Sequence, residues 1–304
     1  RTIRLAAHFF IVYRFLFCVA LVMSELLNGE KGFLFESVQS IPFRTMTESL
    51  KEVLVDAVFK FCPSGVSLVA MDNTKSIVVQ LLLFARCIER YACDDTYYVG
   101  LNLNCFFKII KTLTTQDSLL FVYKESSPYY MDIFINSIEK RSKNKYTIQL
   151  LEISVDEELT FEIDSFNTVL QMQSYYFQKT VKDLLNTGGT RVEIGTKTDS
   201  ESGSCIFFKS NDNMLQSELS LYETTEGLRF KKKNSLKTTS YGVFTLKHLI
   251  TFTKCTTLCP VVTLYLMEGF PLVLQYSVAN LGLIRYCIAS LEKDCIASSE
   301  KGSK

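Results

Sequence analysis

The sequence predicts an α+β fold: two alike domains, each made of two strand-rich units that carry one short helix apiece. Three observations carry this reading. After Gly32 most apolar runs are short and rich in β-branched or aromatic residues, and clusters of Asp, Asn, Ser and Lys separate them, as strands require. Only four segments show helical spacing, and each sets basic residues apart from its apolar face. Counted from Arg44 to Lys108, Lys179 and Lys247, those segments recur at intervals of 64, 71 and 68 residues, so one unit repeats four times.

The elements justify this in order. "LAAHFFIVYRFLFCVALV" (5–22) is almost wholly apolar, with Arg14 in mid-run. Three readings stay open for it: sequence foreign to the fold or translated from upstream of Met23, a targeting segment, or a structural extension. "PFRTMTESLKEVL" (42–54) then places Phe43, Met46, Leu50 and Val53 on one face, with Arg44 and Lys51 on another. "SGVSLVAMD", "SIVVQLLLF", "SLLFVYKES", "YMDIFINS" and "KYTIQLLEI" read as strands. Between them "NCFFKIIKTL" (104–113) turns Phe106, Ile110 and Leu113 inward, leaving Lys108 and Lys111 together outside. "SYYFQKTVKDLL" (174–185) buries Phe177, Val181 and Leu184 against Lys179 and Lys182, and "NTGGT" (186–190) turns the chain after it. "TLKHLITFTKC" (245–255) sets Leu246, Leu249 and Ile250 against Lys247 and Lys254. "PVVTLYLME" and "FPLVLQYSVAN" form a hairpin around Glu268 and Gly269.

Charge narrows the function. With 33 basic against 32 acidic residues the net charge is +1, so a positive field must come from arrangement. Acids gather in "SVDEELTFEID" (154–164), between the two halves, while all four helices present cations. A positive face without sequence preference suits a phosphate backbone. Catalytic readings do poorly. Of the two histidines, His8 lies in the apolar N-terminal run and His248 has no evident orienting partner. The ten cysteines form no CxxC pair, and Cys255, Cys259 and His248 lack further ligands at metal spacing. No Gly-rich phosphate loop occurs. No catalytic residue, metal or cofactor is assigned.

Several strings resemble the proliferating cell nuclear antigen family of DNA sliding clamps. "SGVSLVAMD" (64–72) is similar to the family's SGV-x-L-x-x-MD string, and "VVQLLL" follows at the family's distance. "YACDDTYYVGLNLNCFFKIIK" (91–111) resembles its Y-x-C…GxNL…KIxK segment. Near the end "FTLKHLITFTKCTTL", "PLVLQYSVANLG" and "IRYCIAS" run parallel to the family's last helix, hairpin and closing strand. The likeness covers Gly32 to Ser290 and is weakest between Thr198 and Tyr241, where "KKKNSLK" stands in a stretch that is usually acidic.

The resemblance implies a DNA-clamp fold whose chains close head-to-tail into a homotrimeric ring, helices inside and sheet outside. "KYTIQLLE" would be one edge strand and "SELSLYE" (217–223) its partner on the next chain. It implies a first domain over 32–153, a connector at 154–165 and a second domain over 166–290, flanked by an N-terminal extension (1–31) and a polar tail (291–304). Arg44, Lys51, Lys108, Lys111, Lys179, Lys182, Lys247 and Lys254 would face double-stranded DNA, touching phosphate and not base edges.

A pocket for partner peptides of the Q-x-x-hydrophobic-x-x-aromatic-aromatic type would use Met71, Lys75, Val78, Leu159, Phe161, Pro271, Cys287 and Ala289. Cys287 replaces an aromatic and Ser290 a proline, which alters the pocket. Lys197 aligns with a modified lysine. The implied function is that of a DNA polymerase processivity factor, not an enzyme, acting in replication and repair. Its partners would be DNA polymerase, a clamp loader and other proteins bearing the peptide motif. It would work in the nucleus, or at a viral replication site. A specialised or checkpoint-type subunit of a heterotrimer, or a membrane-anchored β-rich interaction protein, is the alternative.

Overall fold

In a computed structural model the described residues are 29–152, 163–199, 203–211, 215–224, 227–234, 236 and 238–291. Residues 1–28, the polar tail beyond Leu291, and residues 154–162 of the expected connector, with Leu159 and Phe161, lie outside them.

The first half runs β1 (Gly32–Ser37), α1 (Ser40–Lys51), β2 (Asp56–Cys62), β3 (Gly65–Met71), β4 (Ile77–Phe84) and β5 (Arg90–Cys93). A second unit follows as β6 (Tyr97–Asn102), α2 (Leu103–Ile110), β7 (Asp117–Lys124), β8 (Tyr130–Ser137) and β9 (Ser142–Gln149). The second half repeats that order: β10 (Thr168–Gln173), α3 (Ser174–Asn186), β11 (Arg191–Asp199), β12 (Gly203–Asn211), β13 (Gln216–Tyr222) and β14 (Arg229–Lys232). It closes with β15 (Thr238–Thr245), α4 (Leu246–Phe252), β16 (Val261–Leu266), β17 (Leu272–Val278) and β18 (Gly282–Ile288). A 3-10 turn (Thr253–Thr257) extends α4. Each helix thus follows the first strand of its unit.

The sheets show how the halves join. One sheet has the order β5-β1-β7-β8-β9 and another β13-β12-β11-β15. The third has nine strands, β14-β10-β16-β17-β18-β4-β3-β2-β6, and belongs to both halves. Its midpoint is the antiparallel pair β18–β4, in register from Gly282 opposite Leu83 to Ile288 opposite Ile77. At this joint the five-stranded set of the second half meets the four-stranded set of the first. The equivalent strands at the other ends are β9 and β13. Both are sheet edges and both are largely exposed, whereas β4 and β18 are mostly buried. Leu219 and Tyr222 of β13 are among the exposed large apolar side chains.

The helices pack their apolar faces on the sheets as their spacing requires. Phe106, Ile110 and Leu113 are buried, as are Phe43, Met46, Leu50, Phe177, Val181, Leu184, Leu246 and Leu249. Val53 and Ile250 are only partly buried against the same core. Helix α1 begins two residues before the expected Pro42, because proline sits in the first turn, where its missing N–H costs nothing. Between the halves, Tyr286 is fully buried and donates to Ser49 Oγ of α1 at 2.6 Å.

Candidate functional site

The cations of the four helices are not alike. Lys108 and Lys111 on and just after α2, Lys179 and Lys182 on α3, and Lys247 on α4 are exposed. Among the described residues none of these five is ion-paired, so each keeps its full charge for a ligand. The other three are engaged. Lys51 Nζ lies 2.7 Å from Glu52 Oε1, and Lys254 Nζ lies 2.8 Å from the same oxygen. Glu52 therefore bridges the C-terminal end of α1 to the turn after α4. Its hydrogen bond from Lys254, then that from Lys51, hold its carboxyl below the usual range. Lys51 also lies over the Phe107 ring, 4.9 Å from its centroid. Arg44 Nη1 donates to the Leu113 carbonyl at 3.3 Å and so ties α1 to the end of α2.

Sequence reading missed the bridging role of Glu52. It also missed Tyr175, 62% exposed on the first turn of α3. Tyr175, Lys179 and Lys182 stand at i, i+4 and i+7 and so form one stripe along that helix. The exposed tyrosine was the available signal. His248, beside Lys247, is half-buried. Burial lowers its pKa, Asp72 opposes this and Lys247 adds to it.

The second group of residues meets at one end of the nine-stranded sheet. Met71 pairs with Val78, Val78 with Cys287, and Cys287 with Val273. Ala289 N donates to the Ser76 carbonyl at 3.0 Å, and Pro271 directly precedes β17. The structure thus brings Met71, Val78, Cys287, Ala289 and Pro271 together from both halves. Lys75 stands at the rim, exposed, with a left-handed φ of 57°.

Asp72 sets the rim loop. Its carboxylate accepts from the backbone N–H groups of Ser76 at 2.8 Å and Ile77 at 2.7 Å. Burial raises its pKa, but Thr74 and these backbone donors pull harder and leave it lowered. Met71 remains 39% exposed beside this braced loop, while Pro271 and Ala289 are also exposed. Cys287, which stands in place of an aromatic, is closed off from solvent. It is 3% exposed and packs in a small cluster with Phe166 and Val273, with Val78 and Ile163 against it. Phe166 itself meets Tyr265 edge-on at 5.9 Å. Burial pushes the Cys287 thiol up to about 12, so it acts as a small apolar wall. Ser290 uses its hydroxyl to accept from Val243 N at 3.1 Å. Lys197 lies exposed on β11.

Comparisons with known proteins agree over most of the chain. The family models described as "Proliferating cell nuclear antigen, N-terminal domain" and "Proliferating cell nuclear antigen, C-terminal domain" match residues 35–159 and 161–291. The chain is 29% identical over 263 residues to "Probable DNA polymerase sliding clamp 1" of Paramecium bursaria Chlorella virus 1, covering 85% of this chain and 97% of that relative. It is 27% identical over 261 residues to "Proliferating cell nuclear antigen" of Dictyostelium discoideum, covering 83% of this chain and 96% of the relative.

Proposed function

This chain belongs to the proliferating cell nuclear antigen family and is a DNA polymerase sliding clamp, and from that premise we propose that three identical copies close into a ring around duplex DNA. The observation that carries the proposal is the β18–β4 joint. Within the chain a five-stranded set meets a four-stranded set there, edge to edge. Among the described residues the equivalent strands β9 and β13 stand at sheet edges, so a second copy can repeat the same joint between chains. Unpaired edges with exposed Leu219 and Tyr222 invite such pairing. A head-to-tail contact that repeats must close or grow into a filament, and the proposed ring closes at three chains.

Inside such a ring Lys108, Lys111, Lys179, Lys182 and Lys247 meet phosphates, while Arg44, Lys51 and Lys254 act partly through their protein partners. Contacts of this kind carry no base information, so the ring slides while its topology retains it. The groove at Met71, Val78, Pro271, Cys287 and Ala289, with Leu159 and Phe161 of the connector, receives motif-bearing peptides from polymerase, clamp loader and repair proteins. Lys75 borders it, and Lys197 is a candidate for modification. The clamp works where DNA is replicated, in the nucleus or at a viral replication site.

Light scattering tests ring closure. A chain of 34.7 kDa should give a particle of three chains at micromolar concentration. A monomer throughout that range would refute self-closure and favour a mixed ring.

A further inference from the structure

The face of the nine-stranded sheet that turns away from the helices carries two neighbouring cross-strand rows. One is apolar and in register: Met71, Val78, Cys287, Val273, Tyr265 and Val169. The other lies two residues along each strand and is polar at its centre: Gln80, Arg285, Gln275 and Thr263. Residues i and i+2 share a face about 7 Å apart, so the rows run side by side.

Hydrogen-bond accounting in the polar row is one-sided. Arg285 Nε donates to Gln275 Oε1 at 2.8 Å, and Arg285 Nη1 donates to Gln80 Oε1 at 2.7 Å. The Tyr265 hydroxyl donates to the same Gln275 oxygen at 3.3 Å. Gln275 Oε1 thus accepts twice and Gln80 Oε1 once, both oxygens turned to Arg285, and each side chain keeps its NH2 group to donate. Arg285 keeps Nη2 with both protons. Among the described residues none of these three nitrogens has an acceptor, and no carboxylate lies within ion-pair distance of the guanidinium. The groups are not freely solvated either. Gln80 is 9% exposed, and Arg285 is half-buried. Burial lowers the Arg285 pKa, and Asp164 opposes this from a distance without pairing. A held cation between two amide donors, short of acceptors, is complementary to an oxyanion.

We propose that Arg285, flanked by Gln80 and Gln275, is a recognition site for a carboxylate on peptide segments that dock at the open end of the neighbouring apolar row, where Met71 is exposed and Val78 half-buried. The occupant is thus a partner peptide with an acidic side chain about 7 Å, or two extended residues, from an apolar anchor. The inference rests on the docking-groove reading above. It adds a charge preference that the apolar residues alone do not supply. The lysine helices lie on the opposite face of the sheet, so DNA in the ring does not reach this site.

The test uses the full chain and a fluorescent double-aromatic peptide in which one Glu is moved through each position, paired with Gln at the same position. Fluorescence anisotropy is measured on wild type, Arg285→Gln and Arg285→Lys. The all-Gln parent should bind wild type and Arg285→Gln alike, which also controls for folding. Glu at one position should tighten binding to wild type about tenfold, as a charge-assisted, partly desolvated pair allows. That gain should vanish in Arg285→Gln and survive only in part in Arg285→Lys, which lacks the planar fork. Equal binding of Glu and Gln peptides at every position, or a gain that persists in Arg285→Gln, overturns the proposal while leaving the groove in place. Failure of the parent peptide to bind wild type would overturn the groove reading itself, and this inference with it.

Discussion

Replacing Glu52 by Gln should make the proposed ring hold DNA more tightly at low salt and release it more steeply as salt rises. The carboxylate lies 2.7 Å from Lys51 Nζ and 2.8 Å from Lys254 Nζ, so one substitution frees two cations per chain. Unpaired helix cations would rise from five to seven per chain, or from 15 to 21 around three chains. Each added phosphate contact steepens the slope of log K against log salt by about 0.9. One engaged chain with one or two new contacts would gain about 0.9 to 1.8, an extra loss of about 3- to 12-fold between 50 and 200 mM salt. The assay is a salt titration of retention on primed DNA, wild type beside Glu52→Gln.

Stability should move the other way, and only slightly, because the bridge is partly exposed and worth about 1 kcal/mol or less. The sign with pH follows from the lowered Glu52 pKa. Its contribution is present above the unfolded carboxyl value, about 4.3, and is lost as pH falls through the lower folded value. The melting difference between the two proteins should therefore be seen at pH 7 and shrink as pH falls through the lowered carboxyl value of the folded protein. An unchanged salt slope would refute the reasoning, since it would place Lys51 and Lys254 away from DNA.

Changing Lys108, Lys111, Lys179 and Lys182 together to Ala should weaken retention and processive synthesis, reducing the salt slope by up to about 3.6 for one engaged chain. Assembly should survive, and unchanged polymerase stimulation across a salt series would mean that these lysines face elsewhere. Cys287→Tyr should lower the melting temperature, because the side chain is 3% exposed against Phe166 and an added ring overpacks the site by about 1–3 kcal/mol. Calorimetry with a double-aromatic peptide should show altered affinity, and unchanged melting and unchanged binding would refute the packing described for Cys287. Removing residues 1–22 should leave secondary structure and polymerase stimulation intact. A variant that fails to fold would make the apolar segment structural.

The helix faces were legible because spacing alone decides which side chains a short amphipathic helix buries. Phe106, Ile110 and Leu113 are the clearest instance. The lysines of α2 and α3 were legible as exposed for the same reason. So was Lys247 of α4, whereas the fate of Arg44, Lys51 and Lys254 was not. Glu52 stands next to Lys51 in sequence, but its second partner, Lys254, is brought to it only by the packing of α1 against the turn after α4. Arg285 and Gln80 lie 205 residues apart and meet through the β18–β4 pairing, which no local pattern encodes. The burial of Cys287 likewise depends on Phe166, near the end of the connector, folding over it. The sequence pattern starts β9 at Lys145, yet the strand begins at Ser142, since ladder pairing with β8 carries a polar start that propensity disfavours.

Encirclement is the central claim, and end-blocking tests it directly. Polymerase stimulation by this chain would be measured, without a loader, on a primed linear duplex whose ends are either open or capped by a bulky bound protein. A closed ring that threads over ends should stimulate synthesis on the open template and lose that effect when both ends are capped. Equal stimulation on open and capped templates would contradict encirclement and make this chain a surface-bound factor.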